Sequence, residues 1–265
     1  MANLPKLFVV PPRSTARYSF LVTSRFWVNL LISRAEEFLK WGLDLFFPLR
    51  CAGCGKVTKD EPLCADCFAE IPVHTTLFCA ECKARNPGEG RMMCHPRVPY
   101  LLAAATDFHH PTITALVHAL KFEYISSAAL PLARLTAEYL NTVLPEEPDI
   151  IIVPVPLSKP RLRKRGYNQS ELIASHLARF LGMRLEPHAL IRTKNSDPQS
   201  TMREISKRRQ NVGGCFAVSN LKLVEYKNIL LVDDVTTSGA TFTECAHALK
   251  RAGARKIIAV AAAKA

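Results

Sequence analysis

The stretch NILLVDDVTTSGATFTEC, residues 228–245, sets four apolar residues, two adjacent aspartates and a Thr/Ser/Gly loop in one run. The apolar residues read as a central strand, and helical periodicity resumes with Phe242, Cys245 and Leu249. Residues 233–241 therefore fall at the carboxyl end of a strand and ahead of a helix N-terminus. Ligands of open α/β sheets bind at that edge. Free N–H groups and the helix dipole favour an anion there, and phosphate is the usual one. Gly239 permits close backbone approach, Thr236, Thr237, Ser238 and Thr241 offer hydroxyls, and Ala240 completes the loop.

Aspartates repel phosphate, so Asp233 and Asp234 fit better against ribose hydroxyls, or against a Mg²⁺ that the ligand brings. A ribose between two phosphate groups uses every part of this segment. A Walker loop would end in Gly-Lys-Ser/Thr, which is absent. A purely structural strand–turn–helix gives no reason for paired carboxylates at a buried edge.

Residues 100–265 read as alternating helices and strands. Helical spacing runs over residues 111–120, 127–144, 168–181 and 241–252, with strands at 151–157, 228–232 and 256–262. Such alternation predicts an α/β domain with a mostly parallel sheet covered on both faces. After the strand IIVPVPL comes SKPRLRKRGYNQSE, where Lys159, Arg161, Arg163, Lys164 and Arg165 put five cations within seven residues. Read as a loop, it is either a solvated basic segment or a second anion grip. Two strand ends of one parallel sheet face the same crevice, which favours pyrophosphate on this second loop. The net charge of +12 agrees with an anionic partner, phosphate or nucleic acid alike.

Seven of the nine cysteines lie between Cys51 and Cys94. Cys51/Cys54 and Cys64/Cys67 are two C-x-x-C pairs separated by nine residues, the spacing of a tetrahedral Zn(Cys)4 site. A closed thiolate shell is structural, and zinc supplies the folding energy that so small a segment lacks. Cys79 and Cys82 open a possible second site with Cys94, and with His95 or His74 as fourth ligand; unligated thiols are the alternative. Residues 26–45 carry a helical stripe of Val28, Leu31, Ala35, Phe38 and Leu39, and Trp41, Phe46 and Phe47 are placed to cover the cysteine module. Residues 1–25 are basic and read as a disordered arm, with a targeting segment or a misplaced start as alternatives. The expected division is therefore an arm over 1–25, helix plus zinc module over 26–99, and the α/β domain over 100–265. No run of 18 or more uncharged apolar residues exists, and no secretory signal is evident, so the expected location is the cytoplasm.

Residues 229–241 resemble the phosphoribosyl pyrophosphate (PRPP) motif of type I phosphoribosyltransferases. PVPLSKPRLRKRGYNQSELIA, LVHALKF at 116–122 and the spaced Gln199, Arg209, Asn211 and Phe216 together resemble the ComF family of competence-related phosphoribosyltransferase-like proteins. The resemblance covers residues 30–265 and departs from the family where a second C-x-x-C is reduced to Cys94-His95, and mildly at Ser196 and Met202. It implies a type I phosphoribosyltransferase-like parallel sheet flanked by helices, with a small N-terminal Cys-rich zinc-binding module. Carried over, Asp233 and Asp234 are the ribose pair and residues 236–241 the 5′-phosphate loop. Arg161, Arg163 and Arg165, with Lys121, are the candidates for pyrophosphate. Residues 192–209 resemble a hood over the site. The implied function is PRPP binding, with transfer of phosphoribosyl to an acceptor, linked to DNA uptake and natural transformation. The alternatives are a single-stranded nucleic-acid-binding competence protein that reuses the fold, in contact with competence-machinery proteins, and a PRPP sensor without turnover.

Overall fold

The computed structural model describes residues 48–86, 95, 98–144, 149–193 and 214–265. The helix expected over 26–45, and Cys94, Ser196, Gln199, Met202, Arg209 and Asn211, lie outside the described residues. Residues 49–265 form one compact unit.

The cysteine-rich segment supplies helix α1 (Ala65–Ala69) and two-residue strands β1 (Leu77–Phe78) and β2 (Arg85–Asn86). Then follow β3 (Leu101–Asp107), α2 (Pro111–Phe122), α3 (Ala129–Val143), β4 (Ile150–Pro154), α4 (Lys159–Arg165) and α5 (Gln169–Leu181). The chain continues through β5 (Arg184–Leu185), β6 (Leu190–Arg192), β7 (Phe216–Val218), β8 (Asn228–Thr236), α6 (Ala240–Arg251) and β9 (Lys256–Lys264). Among the described residues, one sheet has the order β2-β1-β3-β9-β8-β4-β5, and β6 and β7 form a separate antiparallel pair. Strands β3, β9, β8, β4 and β5 pair in parallel, and β1 adds to the β3 edge antiparallel.

Alternation along β8 divides the core. Leu230 and Val232 point to the side covered by α2, α3 and α5, while Ile229 and Leu231 point to the side of α6 and β7. Both faces are thus buried, which is why the central strands are continuous apolar runs. β3, whose sequence LLAAATD gave no strand expectation, is buried through Thr106. Alanine is a weak strand former, and here burial between β1 and β9 overrides that weakness.

Side chains tie the cysteine-rich segment to the α/β layers. Arg134 of α3 donates through Nη2 to both carboxylate oxygens of Glu61, at 2.9 and 3.1 Å, and lies over the Phe68 ring. Thr106 donates to the Pro72 carbonyl at 2.6 Å. Tyr139, wholly buried, donates to the Thr76 carbonyl at 2.8 Å and accepts from the Ala104 N–H at 3.4 Å. Replacing Tyr139 by Phe strips a partner from two backbone groups without changing shape. Urea unfolding of Tyr139→Phe is therefore expected to show a stability loss of about 1–2 kcal/mol at an unchanged m-value; equal midpoints for both proteins would contradict it.

Candidate functional site

β8 outruns one of its neighbours. Its pairing with β4 ends at Pro154↔Val232, whereas its pairing with β9 continues to Thr236↔Lys264. The strand expected to stop at Val232 therefore carries Asp233 and Asp234 within it, beyond the end of β4. The two carboxylates occupy the sheet's carboxyl edge, where the chain leaving β4 turns away and a crevice opens.

That departing chain builds the opposite wall. The basic segment is a short helix, α4, rather than a loop. It starts at Ser158, accommodates Pro160 in its first turn, and ends at Gly166 in the left-handed region, φ +80°. Helical spacing turns Arg161, Lys164 and Arg165 to one side, and these three line a cleft of ≈ 620 Å³. Arg163, expected to join Arg161 and Arg165, is not among the lining residues; Lys164 takes that place. The opposite wall includes Asp233, Asp234 and Thr241, with Lys121, Phe122, Gln169, Ser170 and Arg192 completing much of the cleft.

The turn between α4 and α5 is held residue by residue. The Tyr167 hydroxyl donates to the Leu120 carbonyl at 2.8 Å, fixing the turn to the end of α2. Asn168 caps α5, accepting from the Ser170 N–H at 3.3 Å, and its amide donates back to the Val155 carbonyl at 3.0 Å. Ser170 then donates its hydroxyl to Asp233 Oδ1 at 2.7 Å. Gln169 lines the cleft at 2% exposure, with Nε2 buried and unpartnered among the described residues. A buried amide donor without an acceptor is costly unless a ligand supplies one.

The two aspartates differ in environment. Asp234 is 6% exposed and pairs with Lys121 Nζ at 2.8 Å, while its Oδ1 also accepts the Val235 N–H at 2.6 Å. Lys121, assigned from sequence to pyrophosphate, is thus held at the carboxylate pair. Asp233 accepts the Asp234 N–H at 2.9 Å in addition to the Ser170 bond. Burial, and then the neighbouring Asp234 charge, push the Asp233 carboxyl up to about 7; Ser170, the Asp234 N–H and Lys121 oppose that without cancelling it.

Residues 236–241 lie between β8 and α6 as expected. Gly239 has φ +77° and forms the N-cap of α6, with no side chain of its own to cap the first turn. The Ala240 N–H donates to Ser238 Oγ at 3.4 Å. Thr237, Ser238 and Ala240 are exposed, Gly239 is buried, and Thr241 faces the cleft. Thr236, 3% exposed, has an unpartnered Oγ1 among the described residues.

Neither cysteine cluster contributes a lining residue to this cleft. Sγ atoms of Cys51, Cys54, Cys64 and Cys67 all lie within 4.8 Å of one another, the donor set for a tetrahedral zinc. Although burial opposes it, N–H groups of Cys54, Cys64 and Gly53 draw the Cys51 thiol down to about 6. Cys67, sharing its proton with Cys64 and buried besides, is held far above the ordinary thiol value. Only a bound cation lets four such sulfurs all be thiolates together. Cys79, Cys82 and His95 form a second group within 4.8 Å, with Cys79 Sγ 3.3 Å from His95 Nδ1. His74 is not in it; its ring packs edge-on against Phe78.

From sequence, Lys164 counted only as part of the basic run and Arg192 only as the start of the hood segment, while Ser170, Phe122 and Tyr124 had no role at the site. Helical spacing and a capping pattern were the signals for Lys164 and Ser170; Phe122 and Tyr124 come from a distant segment and left no local signal. A pH test follows from Asp233. Its folded value of about 7 lies above the ordinary 3.8, so the stability it contributes is full below that ordinary value and is lost as pH rises through 7. Asp233→Asn is expected to exceed wild type in ligand-free thermal stability at pH 8 by on the order of 1–3 kcal/mol, with the gap closing toward pH 4. Parallel pH profiles for the two proteins would contradict the assignment.

Comparison with known proteins places these features. Residues 167–265 match the Phosphoribosyl transferase domain, and residues 42–96 match the Double zinc ribbon domain. The latter match and the four-sulfur cluster support a structural zinc. DNA utilization protein YhgH of Escherichia coli K12 is 31% identical over 223 residues, covering 82% of this chain and 88% of the relative. Competence protein F of Haemophilus influenzae is 28% identical over 215 residues, covering 78% and 86%. Among solved structures, the glutamine PRPP amidotransferase of B. subtilis complexed with ADP and GMP is similar at TM-score 0.35 and 19% identity; the likeness covers 51% of this chain and 26% of that one. No helix among the described residues is long and apolar enough to cross a membrane. The mostly parallel sheet, the cysteine cluster ahead of it and the identity over most of both chains agree: this chain belongs to the family of DNA utilization protein YhgH and Competence protein F, the ComF family.

Proposed function

We propose that the chain binds PRPP with Mg²⁺ in the cleft between α4 and the end of β8, and transfers its phosphoribosyl group to an acceptor with release of pyrophosphate. One observation carries this assignment: Asp233 and Asp234, the start of α6 and the cations Arg161, Lys164 and Arg165 all bound one ≈ 620 Å³ cleft. The spatial order fits a ribose between two anionic ends. Residues 236–241 hold the 5′-phosphate through N–H groups and hydroxyls. Asp233 and Asp234 accept hydrogen bonds from the ribose hydroxyls. Arg161, Lys164 and Arg165 take the pyrophosphate, with Arg163 turned elsewhere.

In the reaction, the bond from the sugar's C1 carbon to pyrophosphate oxygen breaks and a bond from C1 to the acceptor forms. The leaving group gains negative charge, which cations fixed on a short helix stabilise without reorganising. Mg²⁺ arrives with the substrate and neutralises pyrophosphate charge. Ribose hydroxyls and Mg²⁺ both favour an ionised Asp233, so ligand binding strengthens as pH rises from 6 to 8. The protein acts in the cytoplasm, where its cysteines stay reduced for metal. Its working division is a transferase domain over 100–265 behind a helix and zinc module over 26–99.

A second activity, single-stranded nucleic-acid binding, is favoured by the cleft rim. Phe122 and Tyr124 are 59% and 52% exposed and line the cleft beside the basic helix, with Arg165 over the Phe122 ring at 5.6 Å. Exposed rings among cations are stacking platforms for bases. Tyr167, in the turn between α4 and α5, has its hydroxyl committed to the Leu120 carbonyl. The relatives' names, DNA utilization and competence, fit such a partner and the machinery that delivers it.

Calorimetric titration with Mg-PRPP and with single-stranded DNA separates the two. Asp233→Asn/Asp234→Asn is expected to lose PRPP binding and keep DNA binding. Phe122→Ala/Tyr124→Ala is expected to weaken DNA binding by about 1–3 kcal/mol per stacked base. Failure of wild type to bind PRPP would overturn transferase and sensor alike.

A further inference from the structure

The second cysteine group packs against the loop that starts α6. Its backbone forms a tight knuckle: the Lys83 N–H donates to the Cys79 carbonyl at 3.0 Å, and the Cys79 N–H to the Ala84 carbonyl at 2.9 Å. Lys83 ends the knuckle in the left-handed region, φ +62°, a conformation that a lysine rarely adopts without a reason. Its Nζ donates to the Ala80 carbonyl at 2.7 Å, inside the knuckle. The same Nζ lies 2.9 Å from where a side chain on Gly239 would begin. Tyr100, 2% exposed, closes on that glycine from beyond His95: its hydroxyl donates to the Gly239 carbonyl at 3.3 Å and lies 3.3 Å from Thr243 Oγ1.

Two residues that flank the ligand set Cys79, Cys82 and His95 thus converge on one residue of the anion loop. The loop itself, Thr-Thr-Ser-Gly-Ala-Thr, contains no cation. An ammonium has three donors, and the Ala80 carbonyl takes one. The neighbouring orphans, Thr236 Oγ1 at the loop's first residue and Gln169 Nε2 in the cleft, are buried polar atoms that a bound anion and sugar would satisfy.

Building on the assignment of this loop to the 5′-phosphate, we infer that the second cysteine knuckle is a metal-held strut of the phosphate grip, and that Lys83 supplies its positive charge. Zinc on Cys79, Cys82 and His95 fixes the knuckle; Lys83 and Tyr100 then hold Gly239 at the position that close backbone approach to phosphate requires. The zinc ribbon thereby contributes a ligand-binding residue to the transferase site. The glycine is required by its φ of +77°, which side chains rarely adopt, and a Cβ added there would also displace the flexible end of Lys83 and press on Tyr100 Oη, 2.9 and 3.0 Å away.

The test uses the full zinc-loaded chain and two half-ligands in calorimetry: ribose 5-phosphate for the loop end, inorganic pyrophosphate for the α4 end. Lys83→Met is expected to weaken ribose 5-phosphate about tenfold or more, the worth of a hydrogen bond to a charged group, while pyrophosphate affinity stays within about twofold. Lys83→Arg restores most of the loss. Cys82→Ser is expected to lower bound zinc by one per chain, by metal analysis, and to weaken ribose 5-phosphate alone. Equal ribose 5-phosphate affinity in wild type and Lys83→Met overturns the strut while leaving the PRPP assignment standing. Loss of both half-ligands in Lys83→Met means a general structural role and also overturns it. Wild type that binds neither half-ligand overturns the PRPP assignment and the strut together.

Discussion

The site depends on unequal strand lengths. β8 is paired with β9 as far as Thr236 but with β4 only to Val232, because β4 ends at Pro154 and its chain leaves to form a basic helix. A proline can accept from the ladder but cannot donate to it, so the strand has a natural end there. The overhang leaves the two carboxylates lining the cleft on one side while β9 continues to hold their backbone on the other. Backbone rigidity and side-chain access are usually opposed; here different neighbours of the same strand supply them.

Electrostatics follow from that geometry. Adjacent carboxylates at a buried edge cannot both ionise cheaply, and the structure responds asymmetrically. Asp234 receives a lysine at 2.8 Å, whereas Asp233 receives only a hydroxyl and an N–H and is pushed up to about 7. Arg161 and Lys164, both exposed, and Arg165, half-buried, line the cleft with these aspartates and, among the described residues, form no ion pair with them. Charge of both signs is therefore held a cleft's width apart, an arrangement that costs stability and is retained where a ligand with hydroxyls at one place and anions at another repays the desolvation. The cysteine-rich segment joins this arrangement through Lys83, which reaches Gly239 from outside the α/β domain and meets Tyr100 there.

Much of this was legible in the sequence. Four apolar residues ahead of Asp233 gave β8, the periodicity of residues 168–181 gave α5 to within a residue, and two C-x-x-C pairs gave the four-sulfur cluster. What failed did so for identifiable reasons. The basic run was read as a loop, which favoured the alternate residues Arg161, Arg163 and Arg165. As a helix its neighbours are three and four apart, so Lys164 replaces Arg163 at the cleft. The signals for that helix, Ser158 and Pro160 before it and Gly166 after, were present but outweighed by the density of charge. β3 was hidden by its alanines. Phe122, Tyr124, Lys83 and Arg192 reach the site only through tertiary folding, which no local pattern encodes.

A grip with two ends on one ligand can be followed at both ends in a single sample, by phosphorus NMR of PRPP titrated with the protein in the presence of Mg²⁺. The 5′-phosphate and both pyrophosphate resonances are expected to shift or broaden together with one saturation curve, and Asp233→Asn/Asp234→Asn is expected to abolish the change. Perturbation of one end alone, or none at saturating protein, would contradict it.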